Sequence, residues 1–279
     1  MSVRALAGIA ALVGEYDALF VDQYGVLHDG ATPYPGVRRT LARLREAGQR
    51  VLLLSNSGRP GPYNAERLAR LGFDPGLYET IVTSGDTALA LARSGDIPVQ
   101  AGMRCLLIDS GGQDTHFCDA LGLVVDATPA RADLVVIAGS QGGMRTEEQY
   151  RAMLAPLARR GVRAVCTNPD RRMLVPGGTA FGAGRIAELY AEEGGSVTWI
   201  GKPHRAIYAH AARLCGVPPE RVLCVGDSVE HDIAGALGFG ARSALVRTGI
   251  LADATPQQLE AAFARHAARP DYILPALAW

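Results

Sequence analysis

The sequence has no excess of charge of either sign, because its 279 residues include 28 basic and 28 acidic side chains. It has no basic stripe and no run of like charge, which argues against a nucleic-acid partner and against a charged tail. Any site for an anionic substrate must therefore be built locally. Hydrophobic residues make up 48% and charged residues 20% of the chain, the balance of an ordinary soluble globular protein.

The sequence also lacks a long apolar segment. No stretch reaches the roughly 20 apolar residues that a membrane-spanning helix requires, so no membrane association is expected. Residues 1–13 are largely apolar, but Glu15 and Tyr16 follow at once and no clear cleavage site of small residues is present. We therefore predict an amphipathic helix packed on the first strand rather than a signal peptide.

Cysteines are few and none are paired in a C-x-x-C motif. The five lie at positions 105, 118, 166, 215 and 224. An odd number without metal-site spacing favours buried thiols in a reducing compartment, so a cytoplasmic protein is expected. The chain has no internal repeat and no low-complexity tract, and its glycines and prolines are spread among turns.

Short apolar strands alternate with helical patterns at the start of the chain. Strands are predicted at 18–21, 50–54 and 80–83, and helices at 36–48 and 63–71. This β-α-β-α-β order predicts a parallel sheet with right-handed crossovers.

The pattern is interrupted after about residue 85 and returns near residue 199. Strands are predicted in the interruption at 105–109, 123–125, 134–138 and 164–167, and helices at 146–161 and 182–193. Helices at 206–215 and 233–237 and strands at 222–225 and 243–246 follow. We therefore predict an α/β protein with a Rossmann-like core formed by residues 1–85 and 199–279, and an α/β domain inserted at 86–198.

Four short polar segments carry the residues that suit phosphoryl chemistry. Asp22 ends the first apolar strand and precedes a glycine turn, which is how an open α/β sheet presents a reactive group. The other three are Leu54-Ser55-Asn56-Ser57, Gly201-Lys202-Pro203 and Gly226-Asp227-Ser228-Val229-Glu230-His231-Asp232. Attack of a carboxylate on a phosphate ester requires a shielding cation, donors for the non-bridging oxygens and a proton for the leaving oxygen.

The residue types in these segments match three of those requirements. Asp227 and Asp232 follow an apolar strand and offer the oxygen ligands that Mg²⁺ prefers. An alternative role for Asp232 is the N-cap of a helix that begins at Ile233. The hydroxyl of Ser55 and the amide after it can point at a phosphoryl oxygen, and Lys202 supplies a point charge.

The order of nucleophile, hydroxyl, lysine and acidic pair resembles the haloacid-dehalogenase-like (HAD) hydrolase superfamily. The resemblance implies that Asp22 is a covalent nucleophile. It also implies that Mg²⁺ is bound by Asp22, the backbone carbonyl of Tyr24 and Asp227, with Asp232 behind them or acting through water. A Rossmann-like HAD core with an inserted cap domain is the fold that follows.

Further segments resemble the class IIA branch of that superfamily, which includes nitrophenylphosphatases, NagD-like sugar phosphatases and pyridoxal-phosphate phosphatases. They are Asp29-Gly30-x-x-x-Tyr34-Pro35-Gly36, Thr167-Asn168-Pro169-Asp170, Pro176-Gly177-Gly178 and Gly182-Ala183-Gly184. The resemblance implies that the cap selects the substrate and that a homodimer can form through it.

Candidate substrate-binding residues follow from the same motifs. Asn56 and Ser57 continue the loop after Ser55, and Asn168 and Asp170 lie in the cap motif together with Arg171. The alternative for the cap residues is a capped turn with a solvated arginine. The substrate itself is expected to be a small phosphorylated metabolite.

Tyr24 departs from the family pattern, because the phosphatases of this superfamily usually have a second Asp at this position. A phenol is a poor replacement for a carboxyl that must protonate a leaving group and deprotonate water. Three explanations are open: the substrate has a good leaving group, another group such as His28, Asp29 or a cap residue supplies the proton, or the reaction is dehalogenation, in which halide leaves without a proton.

These observations favour a Mg²⁺-dependent hydrolase of a small phosphomonoester that acts through a phosphoaspartate. Tyr24 makes us expect a slow enzyme or one restricted to good leaving groups. One alternative is a metal-independent haloacid dehalogenase, which the acidic residues at 227 and 232 disfavour. The other is a protein that binds a phosphorylated ligand but turns it over weakly.

Overall fold

The computed structural model describes residues 3–112, 114–126, 128–175 and 178–279. They form two compact units. The first unit runs up to Ser55 and adds Gly61–Val82 and Lys202–Trp279; the second consists of Asn56–Pro60 and the described part of Thr83–Gly201. The domain limits near 85 and 198 stay a prediction, and the units differ from them mainly because residues 56–60 group with the second unit.

The described residues form fourteen strands: β1 (Arg4–Ala5), β2 (Ala18–Asp22), β3 (Arg50–Ser55), β4 (Thr80–Thr83), β5 (Arg104–Ile108), β6 (Val124–Val125), β7 (Leu134–Ile137), β8 (Arg163–Cys166), β9 (Arg172–Val175), β10 (Gly178–Phe181), β11 (Ser196–Trp199), β12 (Val222–Gly226), β13 (Arg242–Val246) and β14 (Tyr272–Leu274). Their α-helices are α1 (Val37–Glu46), α2 (Gly61–Arg70), α3 (Ser84–Ser94), α4 (His116–Leu121), α5 (Glu147–Arg159), α6 (Ala183–Glu192), α7 (Arg205–Cys215), α8 (Ala234–Phe239) and α9 (Pro256–His266).

The first unit is built on a seven-stranded sheet with the order β1-β14-β13-β12-β2-β3-β4. β12, β2 and β3 are central and pair in parallel, with Val225 opposite Val21 and Asp22 opposite Leu54. Because the carboxyl ends of parallel strands meet at one edge, the residues that end β2 and β3 and the residue that follows β12 lie side by side. They are Asp22, Ser55 and Asp227.

Both faces of this sheet are covered, which explains why its central strands read as continuous apolar runs. Successive side chains of β2 point to opposite faces. Leu19 and Val21 join one core cluster with helix α1, whereas Ala18 and Phe20 join another with helices α7 and α8. Burial of each large apolar side chain stabilises the fold by about 1.5–3 kcal/mol, so the strand that presents Asp22 is fixed from both sides.

The second unit has a five-stranded parallel sheet with the order β11-β8-β7-β5-β6 and a two-stranded antiparallel hairpin, β9–β10. Its own core joins β7 to helices α5 and α6 through side chains that include Val135, Ile137, Leu154, Leu157, Ile186 and Leu189. The parallel α/β architecture predicted from the sequence is confirmed.

The prediction of an N-terminal amphipathic helix is wrong for the described residues. The chain there forms the short strand β1 and then one 3-10 turn, Ile9–Leu12. β1 pairs in parallel with β14, and Leu6 donates its amide to the carbonyl of Ile273 at 2.9 Å. Pairing with a strand almost 270 residues away, which a local pattern cannot reveal, therefore overrides helical periodicity.

Among the described residues, none of the helices has the length and apolar character needed to span a bilayer. All five cysteines are buried free thiols. The Pro176-Gly177 part of the predicted cap motif lies outside the described residues.

Candidate active site

Lys202 joins two of the predicted carboxylates. Its Nζ lies 2.7 Å from Oδ1 of Asp22 and 2.8 Å from Oδ1 of Asp232. The lysine side chain is only 5% exposed and that of Asp22 is 14% exposed. Burial alone would lower the pKa of Lys202, but the two carboxylates outweigh it and raise the pKa above its ordinary value. The ammonium is therefore charged at neutral pH.

Asp22 presents its two oxygens to different surroundings. Oδ1 accepts hydrogen bonds from the amide of Gln23, at 2.7 Å, and from Lys202. Oδ2 has no partner among the residues that the structure describes. Burial raises the pKa of Asp22 to about 6, the charge of Lys202 opposes that rise, and the charge of Asp232 adds to it. At neutral pH Asp22 is ionised with one oxygen available for attack.

Asp227 is the third carboxylate and is almost fully buried. One oxygen from each of Asp22, Asp227 and Asp232 lies within 4.8 Å of the other two. Burial and then the charges of Asp22 and Asp232 raise the pKa of Asp227 to about 8. Without a cation, Asp227 is therefore largely protonated at neutral pH. A divalent cation would favour its ionised form, and all the oxygens of the three carboxyl groups are hard ligands. This donor set fits a divalent cation such as Mg²⁺.

Asp232 lies inside a π-helical turn, Val229–Ile233, rather than ahead of it. Its Oδ1 contacts Lys202 and its Oδ2 accepts the amide of Ser228 at 3.1 Å. Ser228 is the N-cap of the turn, since its hydroxyl accepts the amide of His231 at 3.1 Å. The alternative that Asp232 caps a helix beginning at Ile233 is therefore wrong. Direct binding of a metal by Asp232 stays a prediction.

Tyr24 lies in the turn after Asp22 and its side chain is 39% exposed. Its ring meets the ring of buried His28 edge-on, with centroids 5.9 Å apart. Nδ1 of His28 accepts the amide of Gly30 at 2.9 Å, and burial, together with Arg67, lowers the pKa of His28 to about 4. The imidazole is therefore neutral at neutral pH and serves as an acceptor in this turn.

Asp29 was the other nearby candidate for proton transfer. Its Oδ1 accepts the amides of Ala31 and Thr32 at 2.9 and 2.7 Å. These hydrogen bonds lower the pKa of Asp29. Asp29 thus forms an Asx-type turn, and an acid stabilised as its carboxylate is a weak proton donor.

A loop that the sequence reasoning missed also reaches the carboxylates. It follows β13 and consists of Thr248–Ile250, and we call it the Thr248 loop. Its three residues contact Gly25, Tyr34 and Asp227 respectively. A signal was present in the sequence, because Thr248-Gly249 follows the apolar end of a strand, residues 244–246, with only Arg247 between them.

The predicted substrate-binding residues of the second unit are also brought together. Nδ2 of Asn56 donates to Oδ1 of Asp170 at 2.8 Å, and the amide of Asp170 donates to Oδ1 of Asn168 at 3.1 Å. Arg171 pairs with Glu188 and is half exposed. Asn168 and Asp170 thus form the side-chain-capped turn that was the alternative reading, while their substrate role stays a prediction.

Ser57, the remaining candidate, accepts the amide of Arg59 through its hydroxyl at 3.2 Å. Its carbonyl accepts the amide of Gly85 at 3.1 Å. These two contacts stabilise the loop after Ser55, and a role for Ser57 in substrate binding stays a prediction.

Comparison with known proteins decides the family. Residues 19–123 match a family model described as haloacid dehalogenase-like hydrolase, and residues 199–279 match one described as HAD-hydrolase-like. A haloacid dehalogenase-like hydrolase from Brucella suis 1330 is 30% identical, with 98% of this chain and 100% of that chain covered and a TM-score of 0.83. This chain belongs to the haloacid dehalogenase-like hydrolase family. The membership expected from the motifs, including the class IIA branch, is confirmed.

Two further solved members of this family are named as phosphatases. A p-nitrophenyl phosphatase from Archaeoglobus fulgidus is 27% identical, with 94% of this chain and 97% of that chain covered and a TM-score of 0.74. A glycerol phosphate phosphatase from Mycobacterium tuberculosis, solved in complex with magnesium, is 27% identical, with coverages of 98% and 78% and a TM-score of 0.71. This haloacid dehalogenase-like protein is thus similar over almost its whole length to hydrolases of phosphate monoesters.

Proposed function

We propose that this haloacid dehalogenase-like protein is a Mg²⁺-dependent phosphatase that hydrolyses a small phosphomonoester through a phosphoaspartate at Asp22. One observation carries the proposal: a partly buried carboxylate with a free oxygen ends a central strand of the sheet, beside Lys202 and two further carboxylates. The names of its relatives support hydrolysis of a phosphate ester over dehalogenation.

The first half of the reaction uses the free oxygen of Asp22. Oδ2 of Asp22 attacks phosphorus, the bond from phosphorus to the ester oxygen breaks, and that oxygen leaves with the bonding electron pair as an alkoxide or phenolate, which takes its proton from solvent. Lys202 holds Oδ1 and keeps the attacking carboxylate ionised and oriented. The hydroxyl of Ser55, at the end of the neighbouring strand, is proposed to hold a non-bridging phosphoryl oxygen.

The second half of the reaction is hydrolysis of the acyl phosphate, in which water attacks phosphorus, inorganic phosphate leaves and the carboxylate is restored. Mg²⁺ would be held by Asp22, the backbone carbonyl of Tyr24 and Asp227. Asp232 would keep the ammonium of Lys202 in place through their ion pair. When bound, Mg²⁺ would offset the negative charge of the phosphate that faces Asp22. The carboxylate crowding around Asp227 supports this assignment.

Tyr24 shapes the proposed substrate range. Neither His28, which is buried and neutral, nor Asp29, which is held as a carboxylate, is a ready proton donor. Without a carboxylic acid beside the leaving oxygen, esters of acidic alcohols are favoured because they leave without a proton. Aryl and acyl phosphates should therefore react faster than phosphates of simple alcohols such as glycerol.

Hydrolysis of p-nitrophenyl phosphate tests the proposal. We expect nitrophenolate release with Mg²⁺, loss of release with EDTA, and loss in Asp22→Asn, which removes the charge but keeps the shape. Asp17→Asn, at an exposed position before the same strand, is the matched control and should behave like the wild type. Release that persists in EDTA, or in Asp22→Asn, would refute the metal-dependent phosphoaspartate route.

Tyr24 also favours one rival reaction, dehalogenation of a small haloacid. Chloride release from 2-chloropropionate in EDTA, without nitrophenolate release in Mg²⁺, would establish that rival. Binding of phosphate without turnover of either substrate would instead identify a ligand-binding protein. A cytoplasmic location and a homodimer formed through the second unit stay predictions.

A further inference from the structure

We propose that the Thr248 loop is a positioning element for the metal-binding edge of the first unit. Its Ile250 amide binds one oxygen of Asp227 and leaves the other for the cation, and its Thr248 hydroxyl holds the carbonyl of Gly25, the residue after Tyr24. This inference rests on the proposed metal-dependent function. Thr248 and Ile250 act through Asp227 and the turn after Asp22, so they are positioning residues rather than catalytic ones.

The first step of the argument concerns the orientation of the Asp227 carboxylate. Its Oδ2 accepts the amide of Ile250 at 2.8 Å. Oδ1 has no hydrogen-bond partner among the described residues. A carboxylate can rotate and offer either oxygen, and a backbone donor on one of them removes that freedom. An amide also carries no net charge, so it fixes Asp227 without competing with a cation as a lysine would.

The second step concerns how tightly the carboxylate is enclosed. Gly249 has a φ of +62°, and a Cβ at this position would lie 1.9 Å from Oδ2 of Asp227. Gly25, in the turn after Asp22, has a φ of +84°, and its Cβ would lie 2.1 Å from the same oxygen. The backbone of the two glycines therefore encloses Asp227, and no larger residue fits at either position.

The third step links the loop to the turn that carries Tyr24. The hydroxyl of Thr248 donates to the carbonyl of Gly25 at 2.5 Å, and the amide of Gly249 donates to the hydroxyl of Tyr34 at 3.2 Å. Three consecutive residues thus contact three separate parts of this edge. Because the Tyr24 carbonyl belongs to the peptide that enters Gly25, the Thr248 hydroxyl restrains the residue next to a proposed ligand.

Thr248→Val tests the proposal because it removes the hydroxyl and keeps the shape. Partners behind metal ligands typically contribute 10–100-fold to affinity, so we expect Mg²⁺ to bind about tenfold more weakly in calorimetric titration of the substrate-free protein. Thr248→Ser keeps the hydroxyl and should bind as the wild type does. The Mg²⁺ concentration for half-maximal p-nitrophenyl phosphate hydrolysis should rise in Thr248→Val, while the rate at saturating Mg²⁺ should change much less.

A second variant addresses the enclosure itself. Gly249→Ala inserts a Cβ against Oδ2 of Asp227, and we expect a larger loss of Mg²⁺ affinity than in Thr248→Val. The thermal midpoint of each variant is measured without metal. Wild-type Mg²⁺ affinity in Thr248→Val would overturn the positioning role, as would an equal loss in Thr248→Val and Thr248→Ser. If the wild type itself binds no Mg²⁺, the proposed metal-dependent function fails together with this inference.

Discussion

Lys202 is the single lysine of the chain, and the other 27 of its 28 basic residues are arginines. Its ammonium contacts two carboxylates at 2.7 and 2.8 Å in a buried position. A compact ammonium on a flexible stem can bridge two acids in such a space, whereas a planar guanidinium is larger and demands a forked partner. The choice of lysine here is therefore a matter of geometry as well as charge, and this rarity was a signal in the sequence.

Lys202→Arg should accordingly fail even though it conserves the charge. We expect p-nitrophenyl phosphate hydrolysis to fall at least about 100-fold and the free energy of unfolding to fall by about 1–3 kcal/mol, because extra atoms must be packed into a buried site. Lys202→Met should remove activity and destabilise by about 3–5 kcal/mol, since it leaves two carboxylates without their counter-charge. Assays and urea unfolding of both variants check this; near wild-type activity in Lys202→Arg would contradict it.

His28 should make stability depend on pH. Its pKa in the folded protein is about 4, below the ordinary value of 6.5, because burial and then Arg67 oppose its charge. The unfolded chain therefore binds this proton more readily. The effect of His28 on the free energy of unfolding is therefore absent above pH 6.5. As the pH falls from 6.5 towards 4, this histidine lowers that free energy by on the order of 3 kcal/mol in total.

Urea unfolding of the wild type and of His28→Gln between pH 7.5 and 4 measures this contribution. The raised pKa values of Asp22 and Asp227 act in the opposite direction, since these groups favour the folded state at low pH. The difference between the two proteins isolates the histidine. The advantage of the wild type over His28→Gln in free energy of unfolding should shrink or reverse as the pH falls. A difference that does not depend on pH would disprove the lowered pKa of His28.

At the scale of elements, the sequence predicted those helices and strands whose patterns lie within a single short segment. Strand β4 has the predicted bounds, and the predicted helix at 146–161 is α5. Helix α9 was not predicted, although Thr255 and Gln258 form a capping box with Pro256 at its first position. The β9–β10 hairpin and strand β14 were also missed, because short strands depend on their partners.

A network of ion pairs connects helices α5 and α6 in the second unit. Arg185 contacts Glu147 at 2.8 Å on α5, and Glu192 at 2.7 Å on its own helix. Arg151 of α5 contacts Glu192 as well. A partly buried network with shared partners orders fewer side chains per ion pair than isolated pairs do, so it should contribute more than an exposed pair.

Arg185→Met should therefore lower the free energy of unfolding measurably, by up to about 1 kcal/mol at low ionic strength, since three glutamates lose a shared partner. The loss should shrink in 0.5 M NaCl, where screening weakens the pairs in the wild type. Arg159→Met, at an exposed position of α5, is the matched control and should change stability little. Equal effects of the two substitutions would show that the network contributes nothing measurable.

At the scale of the whole molecule, the chain folds into two units that each have their own core. The proposed metal ligands all belong to the first unit, so a bound cation should stabilise that unit preferentially. Since only the folded state holds the carboxylates together, Mg²⁺ at about 100 times its dissociation constant should add about 2.7 kcal/mol.

Thermal unfolding with Mg²⁺ and with EDTA tests this linkage. The midpoint of the wild type should rise with Mg²⁺ and return with EDTA, whereas Asp227→Asn should show no rise because it loses a ligand charge. Asp253→Asn, at an exposed position in the same unit, should retain the wild-type response. A shift of equal size in Asp227→Asn would mean that Mg²⁺ acts elsewhere.

The sequence by itself determined the α/β class, the family and the order in which the reactive residues occur. These depend on local facts: apolar runs, glycine turns and a polar residue at each strand end. Parallel pairing then brings Asp22, Ser55 and Asp227 to one edge, because strand ends of equal direction must coincide.

Only the tertiary structure decided which atoms meet. It placed Lys202 between Asp22 and Asp232, and it brought Ile250 to one oxygen of Asp227. It also set Asn56 against Asp170, although 114 residues separate them. Such contacts arise from packing between distant segments, and hydrogen bonds of a few ångströms depend on positions that no local pattern of residue types specifies.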